Sequence, residues 1–245
     1  MPLLIALTFL TVLPLRLPRT PTPRELGASI VWYPAVGFVL GGILALIDAG
    51  LRQTALSPLA IAVVLVAALA ILTGFLHLDG LIDTCDATFA HRSPAERLTI
   101  ARDPRAGAFG VVGVTIVLLL KTALLAGPLA GHRTAVIVCV PALARATMTA
   151  AIVLFPTARG TEGLGGGVKQ YARGWMALVA AAIALGPAAF LLRWDAVTLA
   201  LGAILGGGAI ALFALRRLGG TTGDVFGAIC EGAETAALLA AALLG

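Results

Sequence analysis

Three aspartates stand close together at the start of a polar stretch between two long apolar blocks. In HLDGLIDTCD they are Asp79, Asp83 and Asp86. On a helix, a spacing of four and then three residues places all three side chains on one face. Two carboxylates about 4 Å apart repel each other by roughly 4 kcal/mol at an effective dielectric constant of 20. Because a hard divalent cation offsets this repulsion, the spacing predicts an Mg²⁺ or Mn²⁺ site, with a solvated polar helix end as the alternative.

Arginines follow the aspartates and indicate a phosphate ligand. Ser93-Pro94-Ala95-Glu96 has the pattern of a helix start, and the short helix should end at Asp103-Pro104. This turn would bring Arg102, Asp103 and Arg105 back to the membrane surface. Guanidinium groups bind phosphate oxygens through two parallel hydrogen bonds, and Mg²⁺ neutralises the charge that develops in phosphoryl transfer. The stretch therefore favours metal-assisted phosphate chemistry.

Long apolar blocks surround this stretch and define the class of protein. The chain has 245 residues, of which 60% are hydrophobic and only 12% charged. A crossing of the bilayer needs about 20 apolar residues. We therefore predict an all-α, polytopic integral membrane helical bundle of one domain, residues 1–245, with about seven transmembrane helices. The predicted crossings are 27–50, 56–76, 107–130, 134–155, 174–192, 195–215 and a weaker 229–244.

The first fifteen residues, MPLLIALTFLTVLPL, are apolar, and the basic residues come after them. That order is the reverse of a cleaved secretory signal. We therefore predict a short interfacial or re-entrant helix that stays in the mature protein. The shared face of the three aspartates holds if the second crossing continues as a helix into the cytoplasm. We also expect Gly80 to leave room for a bulky ligand at the backbone.

Basic residues alternate between rich and poor loops, which predicts the orientation in the membrane. Four loops carry three, four, three and two Lys or Arg residues, and the intervening loops carry one each. By the positive-inside rule the rich loops face the cytoplasm. We predict a multi-pass protein of the cell (inner) membrane with its active site facing the cytoplasm. Topology alone accounts for the net charge of +5, so no nucleic-acid partner is expected.

Charged residues also occur inside the apolar blocks. Lys121 and Arg145 lie within predicted crossings, and Glu231 and Glu234 lie in the last one. An intramembrane charge costs at least about 2.5–3.5 kcal/mol, so such residues should face the bundle interior or a water-filled cavity. We count Lys121 and Arg145 among the candidate substrate-binding residues.

Two glycine-rich loops add further candidates. ARGTEGLGGGVKQYAR contains Arg159 and Glu162, and its glycines beside basic residues can hold phosphate groups or form a flexible linker. The second loop, GGTTGDVFGA, contributes Asp224. His77 lies two residues before Asp79, so on a regular helix it points away from the aspartate face. It is the remaining candidate substrate-binding residue.

Several stretches, in order, resemble the adenosylcobinamide-GDP ribazoletransferase (cobalamin synthase) family and together span nearly the whole chain. HLDGLIDTCD followed by GGTTGD is the most specific pair. Ala101-Arg102 stands where the family commonly has Met-Lys. The stretches that resemble the family are FLTVLP, YPAVGFVLGG, GFLHLDGLIDTCDA, RDPRAGAFG, ARGTEGLG and LGGTTGDVFGA.

The resemblance implies an Mg²⁺-dependent membrane enzyme that joins adenosylcobinamide-GDP to α-ribazole or its 5′-phosphate and releases GMP. Asp79, Asp83 and Asp86 would then hold Mg²⁺, with Asp83 also counted as catalytic. Asp103 or Asp224 would complete the coordination or act as base. Arg102 and Arg105 would bind the phosphates. The sequence leaves a homo-oligomer open.

Two other classes of protein compete with this interpretation. A CDP-alcohol phosphotransferase also uses clustered aspartates at a membrane surface, in a motif D-G-x-x-A-R followed by G-x-x-x-D-x-x-x-D. Here Asp83-Thr84 stands in place of the Ala-Arg, and no second D-x-x-x-D follows a glycine. A transporter would place polar residues near the bilayer midplane on broken helices. Only Lys121 and Arg145 fit that pattern.

Overall fold

Helices make up the fold, as predicted. The computed structural model describes residues 1–101, 103, 105–129, 132–158, 160 and 167–244. Within these residues no strand forms, and the β-type pairing is limited to one parallel bridge between Thr157 and Thr221. The α-helices are α1 Pro2–Leu10, α2 Pro23–Ser29, α3 Tyr33–Leu51, α4 Pro58–Leu72, α5 Leu76–Phe89, α6 Pro94–Ile100, α7 Ala108–Ala126, α8 Arg133–Leu154, α9 Gly174–Leu192, α10 Asp195–Leu218 and α11 Gly223–Leu243.

Six stretches of the described chain are long and apolar enough to cross a membrane. They are the continuous stretch Pro23–Leu51 and helices α7 to α11. Helices α4 and α5 meet the same criteria only as a pair, which would make a seventh crossing. The prediction of about seven crossings after a short N-terminal helix is therefore confirmed. The last crossing begins at Gly223, six residues before the predicted start.

The second crossing does not continue as one helix through the aspartates, which lie on a separate helix, α5. Helix α4 ends at Leu72, and α5 leaves it at an angle of 90°. Gly74 and Phe75 both adopt left-handed backbone angles, with φ of 57° and 60°, and this breaks the helix. The Val12 N–H donates to the Leu72 carbonyl at 2.9 Å, so a residue that follows α1 satisfies an exposed end of α4.

Local capping signals set several helix starts. Ser93 and Glu96 form the predicted capping box at α6, with Pro94 at the first helical position. Helix α6 ends at Ile100, three residues before the predicted boundary. Thr22 and Glu25 form a second capping box at α2. Helix α6 thus begins where the sequence predicts it, whereas the start of α2 was not predicted.

Glycines allow the interior helices to approach closely. A Cβ atom at Gly37 of α3 would lie 2.5 Å from the Cα of Ala142 in α8. A Cβ atom at Gly206 of α10 would lie 2.5 Å from the Cβ of Ala236 in α11. Small residues at crossing points let backbones pack without side-chain spacers. Helices α8 and α11 consequently lie in the interior, with 72% and 67% of their apolar central stretches buried.

Candidate functional site

Helix α5 carries the three aspartates, and their exposure falls along it. Asp79 is exposed, Asp83 is half-buried, and Asp86 is only 9% exposed. We call these three residues the carboxylate face. The three aspartates therefore have different surroundings: Asp79 and Asp83 reach solvent, whereas Asp86 is buried against the protein.

Asp86 caps the start of α7. Its two carboxylate oxygens accept hydrogen bonds from the backbone N–H groups of Gly107, at 2.7 Å, and Gly110, at 2.9 Å. A Cβ atom at either glycine would come within 2.5 Å of a carboxylate oxygen. A negative charge at a helix N-terminus also meets the positive end of the helix dipole. These contacts favour a positioning role for Asp86, since both oxygens already accept bonds from protein.

Gly80 lies against the start of α11. A Cβ atom at Gly80 would be 2.6 Å from the backbone oxygen of Asp224, and one at Gly227 would be 3.1 Å from the backbone oxygen of His77. The space beside Gly80 is therefore filled by a neighbouring helix and not kept for a ligand, contrary to the expectation from sequence. The same contact brings the HLDG stretch and the TTGD loop together.

The two glycine-rich loops are joined by backbone hydrogen bonds. The Thr221 N–H donates to the Pro156 carbonyl at 2.8 Å, and the Ala158 N–H donates to the Thr221 carbonyl at 2.9 Å. The Thr222 hydroxyl accepts from the Val225 N–H and donates to Asp224 at 3.2 Å. Asp224 is thereby held at the first turn of α11, beside α5.

Asp103 and Arg105 pair with each other in the turn before α7. Arg105 donates from Nε and an amino group to the two Asp103 oxygens, at 3.0 and 3.1 Å. These hydrogen bonds hold the pKa of Asp103 below its ordinary value. Because Arg105 occupies both Asp103 oxygens and lowers its pKa, the pairing disfavours Asp103 as a proton acceptor. Three predicted residues, Arg102, Arg159 and Glu162, lie outside the described residues.

A buried charge cluster lies on the other side of α5. Lys121 of α7, 4% exposed, donates to Glu231 at 2.6 Å and also to Glu234. Arg145 of α8, 0% exposed, donates to Glu234 and to the Pro141 carbonyl. The prediction that these charges face the bundle interior is confirmed. The four charges sum to zero, which is how a low-dielectric interior tolerates them.

His77 joins this cluster from α5. Its Nδ1 lies 3.3 Å from an Arg145 amino group, and the ring is 2% exposed. Within the described chain, His77 Nε2 has no hydrogen-bond partner. As expected, the ring points away from the carboxylate face. We use the term buried charge cluster for His77, Lys121, Arg145, Glu231 and Glu234; it links α5, α7, α8 and α11.

A small cavity borders the buried charge cluster. It has a volume of about 40 Å³, and Lys121, Glu231 and Glu234 line it together with apolar side chains such as Leu65 and Ile137. A cavity of this size with polar walls has room for a water molecule. The cluster is therefore interior, and its charges reach a phosphate only through a change of structure, which favours positioning over direct substrate binding.

The described residues contain no group of three or more His, Cys, Asp or Glu side chains arranged to hold a metal ion. Mg²⁺ does not require such a group, because it is usually held by one or two carboxylates together with water and substrate phosphates. Asp79 and Asp83 offer oxygen ligands that reach solvent, and the backbone of Asp224 packs against Gly80 of the same helix. The donor chemistry thus fits Mg²⁺ bound jointly with a phosphate substrate.

One buried ion pair was missed in the sequence. Asp48, at the end of α3, is 3% exposed and accepts from Arg133 at 2.8 Å and from Arg52 at 3.2 Å. The signal was present, since each of the short basic-poor loops carries a single arginine. The pair joins α3 to the start of α8 at the end remote from the carboxylate face.

The fold and site together define a multi-pass, all-helical membrane protein with solvent-reaching carboxylates beside one helix junction. A family model described as Cobalamin-5-phosphate synthase matches residues 2–242. The chain belongs to this family. The family match and the similar full-length proteins identify the chain as a transferase of cobalamin biosynthesis.

Similar proteins cover the whole length. The chain is 44% identical to an adenosylcobinamide-GDP ribazoletransferase of Stutzerimonas stutzeri, over 99% of this chain and 98% of that protein. It is 40% identical to the protein of that name from Pseudomonas fluorescens, over 99% of both. A third, from Ectopseudomonas mendocina, is 41% identical over 98% of this chain and 97% of its own length. No solved structure matches the chain.

Proposed function

We propose that this enzyme joins adenosylcobinamide-GDP to α-ribazole or its 5′-phosphate, and that it does so at the cytoplasmic face of the inner membrane. The observation that carries the proposal is the contact between Gly80 and Asp224, which unites the two most specific family stretches at one helix junction. Full-length identity of about 40% to the named transferases supports the reaction. The cytoplasmic side rests on the basic loops.

The reaction is a substitution at phosphorus. A ribose hydroxyl of α-ribazole attacks the phosphorus atom that bears the cobinamide, and the bond from that phosphorus to the bridging oxygen of GMP breaks. The hydroxyl proton passes to a base, and GMP departs with the bridging oxygen. We assign the base to Asp224, because Thr222 orients this carboxylate and Arg105 lowers the pKa of its rival, Asp103.

Asp79 and Asp83 would hold Mg²⁺ in this proposal. When bound there, the ion would neutralise the charge that develops on the phosphate oxygens. Asp86 keeps the start of α7 in place beside them, since its oxygens bind the α7 backbone. Arg102 and Arg105 lie before α7 in the sequence and would bind the phosphates of adenosylcobinamide-GDP. Arg159 and Glu162 remain candidates from the sequence alone.

The buried charge cluster contributes by fixing α5. His77 is two residues from Asp79, and its contact with Arg145 limits rotation of α5 about its axis. A rotation would move the aspartates away from Asp224. Lys121, Arg145 and His77 are therefore positioning residues in this proposal.

GMP release tests the proposal directly. Membranes that contain the protein are given adenosylcobinamide-GDP and α-ribazole phosphate, with Mg²⁺ and then with EDTA. We expect GMP and a cobalamin product only when both substrates and Mg²⁺ are present. Release without α-ribazole phosphate, or equal release in EDTA, would contradict the reaction or the metal. Turnover of CDP-alcohols, or substrate flux in vesicles without turnover, would instead favour the alternative classes.

A further inference from the structure

An apolar crevice opens beside Asp79, between α4, α5 and α7. Its volume is about 520 Å³, within the roughly 300–1,000 Å³ typical of small-molecule sites. Its walls include Val63 and Ala67 of α4, Ile82 of α5, and Val114 and Leu118 of α7. We call this space the lateral crevice. It exists because the 90° bend separates α4 from α5 and leaves a gap along α7.

Among the described residues, two polar side chains line the otherwise apolar crevice. They are Asp79, which belongs to the carboxylate face, and Thr122 of α7. A ligand in the crevice would thus have an apolar body and a polar end close to the proposed reaction site. A lipid acyl chain makes no favourable polar interaction with the Asp79 carboxylate, and burying that charge against hydrocarbon is costly. The lining therefore favours an amphipathic ligand over lipid.

Phe75 contributes an aromatic ring to the crevice. Its side chain is 54% exposed, and its backbone has φ of 60°, a conformation that a bulky residue rarely adopts. Such strain persists where the surroundings over-determine it, and it concentrates at ligand sites. Glycine would adopt this angle without strain, so a phenylalanine here points to a use for its ring.

We propose that the lateral crevice binds the aromatic base of α-ribazole, with the attached ribose directed towards Asp79. This inference rests on the proposed function and names the site of its nucleophilic substrate. The base, a dimethylbenzimidazole, is flat, uncharged and apolar, so aliphatic walls and one aromatic ring suit it. The second substrate carries a macrocycle and a charged pyrophosphate, and neither suits a narrow apolar space.

The experiment narrows the crevice and compares the two substrates. Ala67→Leu adds bulk to the crevice wall, and Ala123→Leu adds the same bulk on an exposed position of α7 outside it. Purified full-length protein in detergent is assayed for the KM of each substrate. For Ala67→Leu we expect the KM of α-ribazole to rise about tenfold or more. The KM of adenosylcobinamide-GDP should stay within about twofold, and Ala123→Leu should match the wild type.

Binding without turnover separates the two proposals. Equilibrium dialysis of α-ribazole against wild-type protein should show saturable binding that Ala67→Leu weakens and Ala123→Leu does not. If the wild type releases GMP but Ala67→Leu keeps both KM values and the same binding, the crevice assignment fails and the reaction stands. A co-purified phospholipid that Ala67→Leu displaces, with substrate binding unchanged, would also overturn it. A wild type that neither binds α-ribazole nor releases GMP would remove both proposals.

Discussion

The two sides of helix α5 treat charge in opposite ways. On the carboxylate face, Asp79 and Asp83 keep access to solvent, and like charges lie within two turns of each other. On the other side, His77 meets a cluster in which each buried cation is matched by a buried glutamate. The first arrangement leaves carboxylate oxygens where a cationic ligand from solvent can reach them. The second is already neutral and stabilises the fold, so substitutions should separate activity from stability.

The largest expected effect is on stability, at Glu234. This side chain accepts from both Lys121 and Arg145, so Glu234→Gln leaves a net positive charge in the interior. Breaking a buried ion pair by removing one partner costs about 3–5 kcal/mol. Thermal unfolding of the purified protein in detergent should show a matching loss. Glu231→Gln is the matched control, with a smaller loss expected because Glu231 pairs with Lys121 alone among the ion pairs of the described residues.

The next effect is on activity, at Asp83. We expect Asp83→Asn to lower the rate of GMP release at least about a hundredfold, which corresponds to roughly 2.7 kcal/mol of transition-state stabilisation. The unfolding temperature should stay close to the wild type. Asp195→Asn, at the start of α10, gives the control and should retain full turnover. Near-normal turnover of Asp83→Asn at saturating Mg²⁺ would contradict the metal assignment and erase the contrast between the two sides of α5.

The next effect concerns Asp86. The sequence assigns this residue to the carboxylate face, whereas its hydrogen bonds in the structure hold the start of α7. An asparagine can accept from only one of the two glycine N–H groups and presents an amide donor to the other. We expect Asp86→Asn to destabilise the protein by about 1–3 kcal/mol, the cost of an unsatisfied buried group. Hydrogen exchange at the first turn of α7 would measure the loss. Unchanged protection of Gly107 and Gly110 would return Asp86 to the ligand set.

The smallest effect concerns acid sensitivity at Asp103. Its pKa is lowered by Arg105, so its contribution to stability is present above the unfolded-state pKa, near 3.9. That contribution is lost as the pH falls through the lower pKa of the folded state. Arg105→Gln should lower the unfolding temperature only slightly at pH 7, because both groups are exposed and solvent screens the pair. The stability of Arg105→Gln should also fall less steeply than that of the wild type as the pH drops below about 4. An identical fall in the two proteins would mean that the ion pair contributes nothing to stability.

Local signals in the sequence predicted much of this molecule. The capping box of Ser93 and Glu96 marked α6, and the cost of intramembrane charge placed Lys121 and Arg145 in the interior. Both depend on residues within one helix or on burial alone. Neither requires knowledge of which helices meet.

Long-range contacts account for what the sequence did not predict. Nothing near Asp86 identifies Gly107 and Gly110 as its partners, because the hydrogen bonds span more than 20 residues. The bend at Phe75 has only Gly74 as a local signal, since phenylalanine does not favour a positive φ. The filled space at Gly80 follows from the position of α11. The sequence predicts ligand access at Gly80, and the structure shows that this glycine allows α5 and α11 to pack closely.

The bend between α4 and α5 also has a consequence for how the protein enters the membrane. Helix α4 has 15 residues, about 22 Å at 1.5 Å each, against a hydrocarbon core of about 30 Å. Helix α5 could complete the span only by carrying Asp79 and its neighbours towards lipid, and insertion of each aspartate costs about 2.5–3.5 kcal/mol. We therefore expect the translocon to insert the α4–α5 pair inefficiently when it inserts one segment at a time. We expect the pair to reach its place only once α7 and α11 are present to receive it, so biogenesis of the chain depends on its C-terminal half.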